Sequence, residues 1–194
     1  MSQEQPLRPQ SDIQQEKQQA AHRNENQSNS DVSDSLKKLT CTALVSDHDR
    51  SRSCGPITIG EALEATALTA GDKPVDWSDA AAIQAAEVRA TGRTTIIAGG
   101  LAAAAQSAAT MNARITKDEE KTKLADILTD ATSKLPTDKP ATRRDAEGVV
   151  GAELRNDPNL TTHPGGVAAS IVAAARLNQQ NEASNQKKES PNKA

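Results

Sequence analysis

Sliding the sequence on itself superimposes one long stretch of the chain on another without a gap, at an offset of 66, the distance from Asp72 to Asp138. Asp72-Lys73-Pro74 falls on Asp138-Lys139-Pro140, Asp79-Ala80 on Asp145-Ala146, and Ala86-Glu87 with Arg89 on Ala152-Glu153 with Arg155. Gly99-Gly100 falls on Gly165-Gly166, and Ala102-Ala103, Ala108-Ala109 and Asn112 fall on Ala168-Ala169, Ala174-Ala175 and Asn178. Chance does not keep one register that long, so the chain carries two copies of one local pattern.

Each copy reads as a helix, a D-K-P break, a second helix, a loop, and a Gly-Gly-led, Ala-rich third helix. Thr58 and Glu61 have the spacing of a capping box, which satisfies the free amides at a helix start, so a helix is expected over about 59–70. Pro74 then blocks helical geometry in its neighbourhood. Asp76 or Ser78 can cap a second helix through Ala90, and its equivalent begins at Thr142. The third helix, about 99–113, carries a stripe of Leu101, Ala104, Ala105 and Ala108, and its partner over 165–178 places Val167, Ile171 and Ala174 on one face. Between the copies, Thr116 with Glu119 marks a capped helical segment from Lys117 to Lys134, where Leu124, Ile127, Leu128 and Leu135 form the clearest apolar stripe.

Large apolar side chains are scarce. Leu, Ile and Val number 13, 9 and 8, Phe is absent, and their sum of 30 in 194 lies below the share that ordered domains use. The 33 alanines each bury too little surface to offset the chain entropy lost on ordering. Gly60, Gly148 and Gly151 weaken helices further, by about 1 kcal/mol each relative to Ala in a helix interior. The expected fold class is therefore a chain largely disordered in water and conditionally all-α, with short Ala-rich helices and no conventional hydrophobic core. Residues 1–55, with a Q-Q-E-K-Q-Q run at Gln14–Gln19, read as a polar tail in which the Leu36–Val45 patch forms at most a transient helix. Residues 57–115 are the first repeat, 116–180 the linking helix and second repeat, and 181–194 a second solvated tail.

The residue types that carry chemistry are dispersed. His22, His48 and His163 are isolated from one another, and His48, Cys41 and Cys54 form no cluster of metal-ligand spacing. No catalytic, cofactor-binding or metal-ligating residue is expected, since such sites need rigid supporting groups. Gly99-Gly100 and His163-Pro164-Gly165-Gly166 lack the spacing of phosphate-binding loops and read as flexible helix starts. The D-K-P motifs read as helix breaks, and Trp77, whose repeat counterpart is Arg143, as an incidental aromatic. A net charge of −3 and a pI of about 5.7 give no nucleic-acid footprint. With no apolar leader or long apolar span, the expectation is a soluble intracellular protein of the cytoplasm, with the nucleus within its reach.

The string Ile57-Thr58-Ile59-Gly60-Glu61-Ala62-Leu63-Glu64-Ala65, then Ala70-Gly71-Asp72-Lys73-Pro74-Val75-Asp76, resembles the seed maturation protein repeat of plant late embryogenesis abundant proteins. Ser78 to Val88, Gly99-Gly100 and Asp145 to Val150 extend the resemblance, which covers roughly 57–180. Members commonly carry a further repeat nearer the N-terminus, and residues 1–55 contain no recognisable one. The resemblance implies a non-enzymatic, hydrophilic seed protein, mostly unfolded when hydrated, that shields proteins and membrane surfaces during water loss without a cofactor. Its clients are then non-specific, and its oligomeric state is left open. The alternative is a disordered interaction module whose helices fold on a specific protein or membrane partner.

Overall fold

A computed structural model describes residues 30–38 and 55–189, with side chains as far as 186. The Gln14–Gln19 run, His22, Cys41, Val45, His48 and Cys54 lie outside the described residues. Helix α1 spans residues 30–38. It is followed by α2 (Ile59–Thr69), α3 (Trp77–Thr91), α4 (Leu101–Asn112), a 3-10 turn (Asp118–Glu120), α5 (Leu124–Leu128), α6 (Ala131–Lys134), α7 (Arg143–Asn156) and α8 (Val167–Glu189). Among the described residues there is no strand, and no helix is long and apolar enough to cross a membrane.

Local chemistry sets the starts of α2, α3 and α7. Thr58 caps α2 in a capping box with Glu61, and Thr142 caps α7 in the same way with Asp145. Of the two candidates for α3, Asp76 is the cap, accepting from the Asp79 amide while Asp79 reaches back to the Asp76 amide. The duplication carries through to helices: α3 and α7 correspond at the offset of 66, as do α4 and the first half of α8. The span of α5 and α6 corresponds to α2 at 65, because the segment from Lys134 to Lys139 is one residue longer than that from Thr69 to Lys73.

The two units grip each other reciprocally. In unit 1 the start of α2 forms a bridge, Thr58 with Pro140, to the D-K-P segment of unit 2; in unit 2 Lys123 forms the matching bridge to Pro74 of unit 1. Around these, the Ile59 amide donates to the Lys139 carbonyl and the Ala141 amide to Ile57. The Leu124 amide donates to Lys73, and the Val75 amide to Thr122, in the same pattern. Helix α3 packs on its own counterpart α7, α2 packs on α5, α6 and α8, and α4 touches α5. Such mutual contact is the signature of a two-fold, isologous interface, here inside one chain.

The expectation of no hydrophobic core needs correction. One buried apolar cluster runs through both units, and 16 of its 31 residues are alanines. Small side chains let helix axes approach closely, so the other 15, half of the 30 Leu, Ile and Val in the chain, suffice to fill the space between them. Average composition hides this concentration. Leu63, Ile83, Leu101, Leu124, Leu128 and Ile171 are all fully buried. The tail expected over residues 1–55 also contributes, since Val32 and Leu36 of α1 are buried in the same cluster.

Two helix extents and one buried face differ from the sequence reading. Helix α8 continues to Glu189, although the side chains of 179–186 are exposed as a solvated segment would have them. The stripe of α4 is Leu101, Ala102, Ala105, Ala108 and Ala109, with Ala104 exposed. No continuous helix runs from Lys117 to Lys134. The Asn112 side chain holds Thr122 in extended conformation, and beyond it Thr129 and Asp130, both weak helix formers, separate α5 from α6. The Glu64 carboxylate of α2 accepts from the Thr132 amide and hydroxyl just past that break.

Candidate functional site

The polar residues that hold the repeat in register lie at the joints between its parts. Asn112, at the end of α4, donates from Nδ2 to the Val75 carbonyl (2.9 Å) and the Thr122 carbonyl (2.8 Å), and its Oδ1 accepts from the Thr122 amide (2.8 Å). Asn178 repeats the arrangement: Nδ2 donates to Ala141 (2.9 Å) and Ile57 (2.8 Å), and Oδ1 accepts from the Ile57 amide (2.7 Å). Each asparagine therefore ties the last helix of its own unit to the first segment of the other. Both are buried, where an amide side chain with every partner in place fixes one geometry.

Two buried carboxylates cap the third helices from outside. Gly100 has no side chain to cap α4, and Glu87 of α3 supplies the acceptor, taking the Ala102 amide at 2.9 Å. Glu153 of α7 takes the Ala168 amide at 3.0 Å and the His163 amide at 2.8 Å. A carboxylate there also meets the positive end of the helix dipole. Gly99 and Gly165, the first glycine of each pair, sit at φ +76° and +72°, in the left-handed region that favours glycine, and a Cβ on Gly100 would crowd the Glu87 carboxylate.

The densest ionic cluster lies at the start of α3. Lys73 Nζ is 2.9 Å from Asp76 Oδ2 and 2.5 Å from Asp79 Oδ2, and Ser78 Oγ donates to Asp76 Oδ1 at 2.6 Å. His163, from the loop before α8, places Nε2 3.9 Å from Asp76 Oδ2 and Nδ1 3.5 Å from Glu153 Oε1. Asp76, Asp79 and His163 each offer one possible ligand atom, all within 4.8 Å of one another. The Lys73 ammonium already bridges the two carboxylates, so a divalent ion entering here displaces it.

Unit 2 builds the counterpart from Lys139, Thr142 and Asp145, with Lys139 Nζ 2.8 Å from Asp145. Burial pushes the Asp79 carboxyl above the ordinary carboxylate value, against the pull of Lys73. Burial works in the same direction on Asp76, but the Ser78 hydroxyl, the Asp79 amide and Lys73 outweigh it and hold that carboxyl well below. At Asp145 burial is again outweighed, here by hydrogen bonds from Lys139 and Thr142 and by the Lys139 charge, and the carboxyl is lowered.

The two units depart from two-fold symmetry beside these aspartates. Arg89 of α3 crosses α7 at Gly148, where any Cβ would overlap its guanidinium, and reaches Asp145 at 3.8 Å. The position equivalent to Gly148 is Ala82. Its methyl closes the path, and Arg155 folds back beside Gly151 on its own helix. Asp79 Oδ1, the atom Arg155 would have met, is buried with no hydrogen-bond donor among the described residues.

Of the histidines and cysteines weighed from sequence, His163 lies among the described residues, and the structure brings it to other ionisable groups in the cluster just described. Trp77 is 52% exposed at the first turn of α3. The D-K-P motifs do more than break helices: Lys73 and Lys139 neutralise the aspartates that follow, and Asp138 accepts from the Gly60 amide with both oxygens. The joint-forming Glu87, Glu153, Asn112 and Asn178 had no role assigned from sequence. Their signal was the shared register itself.

The seed maturation protein family matches residues 57–115 and 122–181. Late embryogenesis abundant protein 47 of Arabidopsis thaliana is 69% identical over 143 residues, 74% of this chain and 71% of the relative. Late embryogenesis abundant protein D-34 of Gossypium hirsutum is 75% identical over 123 residues, and late embryogenesis abundant protein 31 of Arabidopsis thaliana is 72% identical over 123. In those two the match covers 63% of this chain and 47% of the relative, so the chain spans about half the length of each. No solved structure matches the chain. With two family matches falling on the two reciprocally joined units, the chain belongs to the seed maturation protein family, among the late embryogenesis abundant proteins.

Proposed function

We propose that this chain is a non-enzymatic desiccation protectant, largely unfolded in dilute water and folding into the paired-unit arrangement as water is withdrawn. The observation that carries the reading is the dependence of the fold on buried polar joints. A hydrogen bond made in competition with water contributes only about 0.5–1.5 kcal/mol. As water leaves, that competition falls, and the Asn112, Asn178, Glu87 and Glu153 joints strengthen together. With alanine as 16 of the 31 residues in the buried cluster, the apolar contribution to the hydrated state is small for a core of this size. The clients are drying proteins and membrane surfaces of the cytoplasm and nucleus, shielded by a polar chain without a cofactor.

Far-UV circular dichroism in dilute buffer and again after drying tests the conditional fold; strong cooperative helix in plain buffer removes it. Drying a labile enzyme with this protein or with an equal mass of albumin tests the shielding. Protection no better than albumin ends that role. The second reading, a module that folds on one partner, draws on the exposed Leu68, Trp77, Met111 and Leu160. It requires helix to form in water on adding a single extract component.

A further inference from the structure

We infer that the interface between the two units is also an interface between copies of this chain, which exchange units with a second copy when protein concentration is high. The inference is independent of whether the chain protects anything. It rests on where the contacts fall. Both bridges, the Asn112–Thr122 and Asn178–Ile57 bonds, the Arg89–Asp145 pair, the Glu64–Thr132 bonds and the packing of α3 on α7 and α2 on α8 run from one unit to the other.

The units are joined in sequence by one segment, residues 113–121. That connector contributes nothing to the buried cluster, and its ion pairs, Lys117–Glu120 and Lys121–Asp118, are local to it. In the closed chain it only turns back, so that Thr122 meets Asn112. Opened out, nine residues reach about 30 Å. Unit 1 of one copy can then receive unit 2 of another, with every inter-unit contact re-formed and only the connector's own turn lost. This is the condition under which exchange between copies costs little. The closed form is favoured by the effective concentration the connector imposes, which for a short flexible link is in the mM range. At protein concentrations of that order the two forms compete.

The Asp72–Lys123 and Lys139–Asp145 pairs make a direct test, because the first joins the two units (3.5 Å) and the second lies within unit 2 (2.8 Å). Equal amounts of isotopically light and heavy full-length chain are mixed unfolded and brought to the folded state with trimethylamine oxide. This is done at about 1 mM and at roughly a thousandth of that. The samples are coupled with a zero-length carbodiimide and read by mass spectrometry. Exchange predicts that at high concentration up to half of the Asp72–Lys123 links join light to heavy, while Lys139–Asp145 links stay within one isotope. At low concentration both stay unmixed. Unmixed Asp72–Lys123 links at both concentrations overturn the inference. So does equal mixing of both links, which marks non-specific aggregation, and so does failure of the Asp72–Lys123 link to form while Lys139–Asp145 forms.

Discussion

At the scale of single residues, a few buried polar groups form the joints of the fold. Replacing Asn112 or Asn178 by Ala strands backbone groups that have little access to water, Val75 and Thr122 in one case, Ala141 and Ile57 in the other. Each substitution should cost about 2–4 kcal/mol, read as a higher trimethylamine oxide concentration at half-folding by circular dichroism. A shift equal to that of an exposed control such as Gln180→Ala would argue against the joints. The aspartates predict a pH profile of opposed limbs. Asp79 is raised above 3.8, so the folded state binds the extra proton, and stability falls as pH rises from 3.8 through its folded value. Asp76 and Asp145 are lowered, so their contribution is present above 3.8 and is lost as pH falls through their folded values. Acidification from neutrality should first favour folding and then oppose it, and Asp79→Asn should flatten the first limb alone. An unchanged upper limb in that variant would place the proton elsewhere.

At the scale of elements, what could be read from sequence was what is local. Thr58, Asp76 and Thr142 announce helix starts because a cap and its amide lie within three residues, and Leu124, Ile127, Leu128 and Leu135 show their buried face by spacing alone. The residues that escaped reading act at a distance. Thr122 is held extended by Asn112, ten residues away, and Ile57 by Asn178, 121 residues away, and no local preference encodes either bond. The buried face of α4 was misplaced onto Ala104 because its small side chains give no contrast between one side of the helix and the other. His163 likewise finds Asp76 only through the fold. The Gly-Gly starts give an element-scale prediction. Gly99→Ala and Gly165→Ala should each cost about 1–2 kcal/mol, because an L-residue resists the left-handed turn. Gly55→Ala, with open space around it, should cost far less. Equal effects on half-folding at all three sites would show that the turns are not demanded.

At the scale of the whole molecule, the ends of the paired units come together. Asn178 bonds directly to Ile57, much as Asn112 bonds to Thr122, so the chain could be opened at the connector and closed at the other seam. A permuted chain running from Thr122 to residue 186, through a nine-residue link, and on from Gly55 to Asn112 should reach the same helix content. The comparison is with an unpermuted chain beginning at Gly55, since both lack Val32 and Leu36. Loss of helix in the permutant alone would mean that the connector does more than join. Helical character and duplication were legible in sequence at this scale, but the packed core and the reciprocal pairing were not, because aligning two copies says nothing about whether they touch.

The notch at Gly148 gives that pairing a stoichiometry. Two copies of unit 2 could seat both of their arginines, but every such couple leaves two copies of unit 1 whose Arg89 side chains face the Ala82 methyl. Unit 1 against unit 2 seats one arginine in every pair, so the total over two chains is the same either way, but only the mixed pairing gives each pair one. A single missing methyl thus makes the two halves of the interface unequal although it is two-fold in shape.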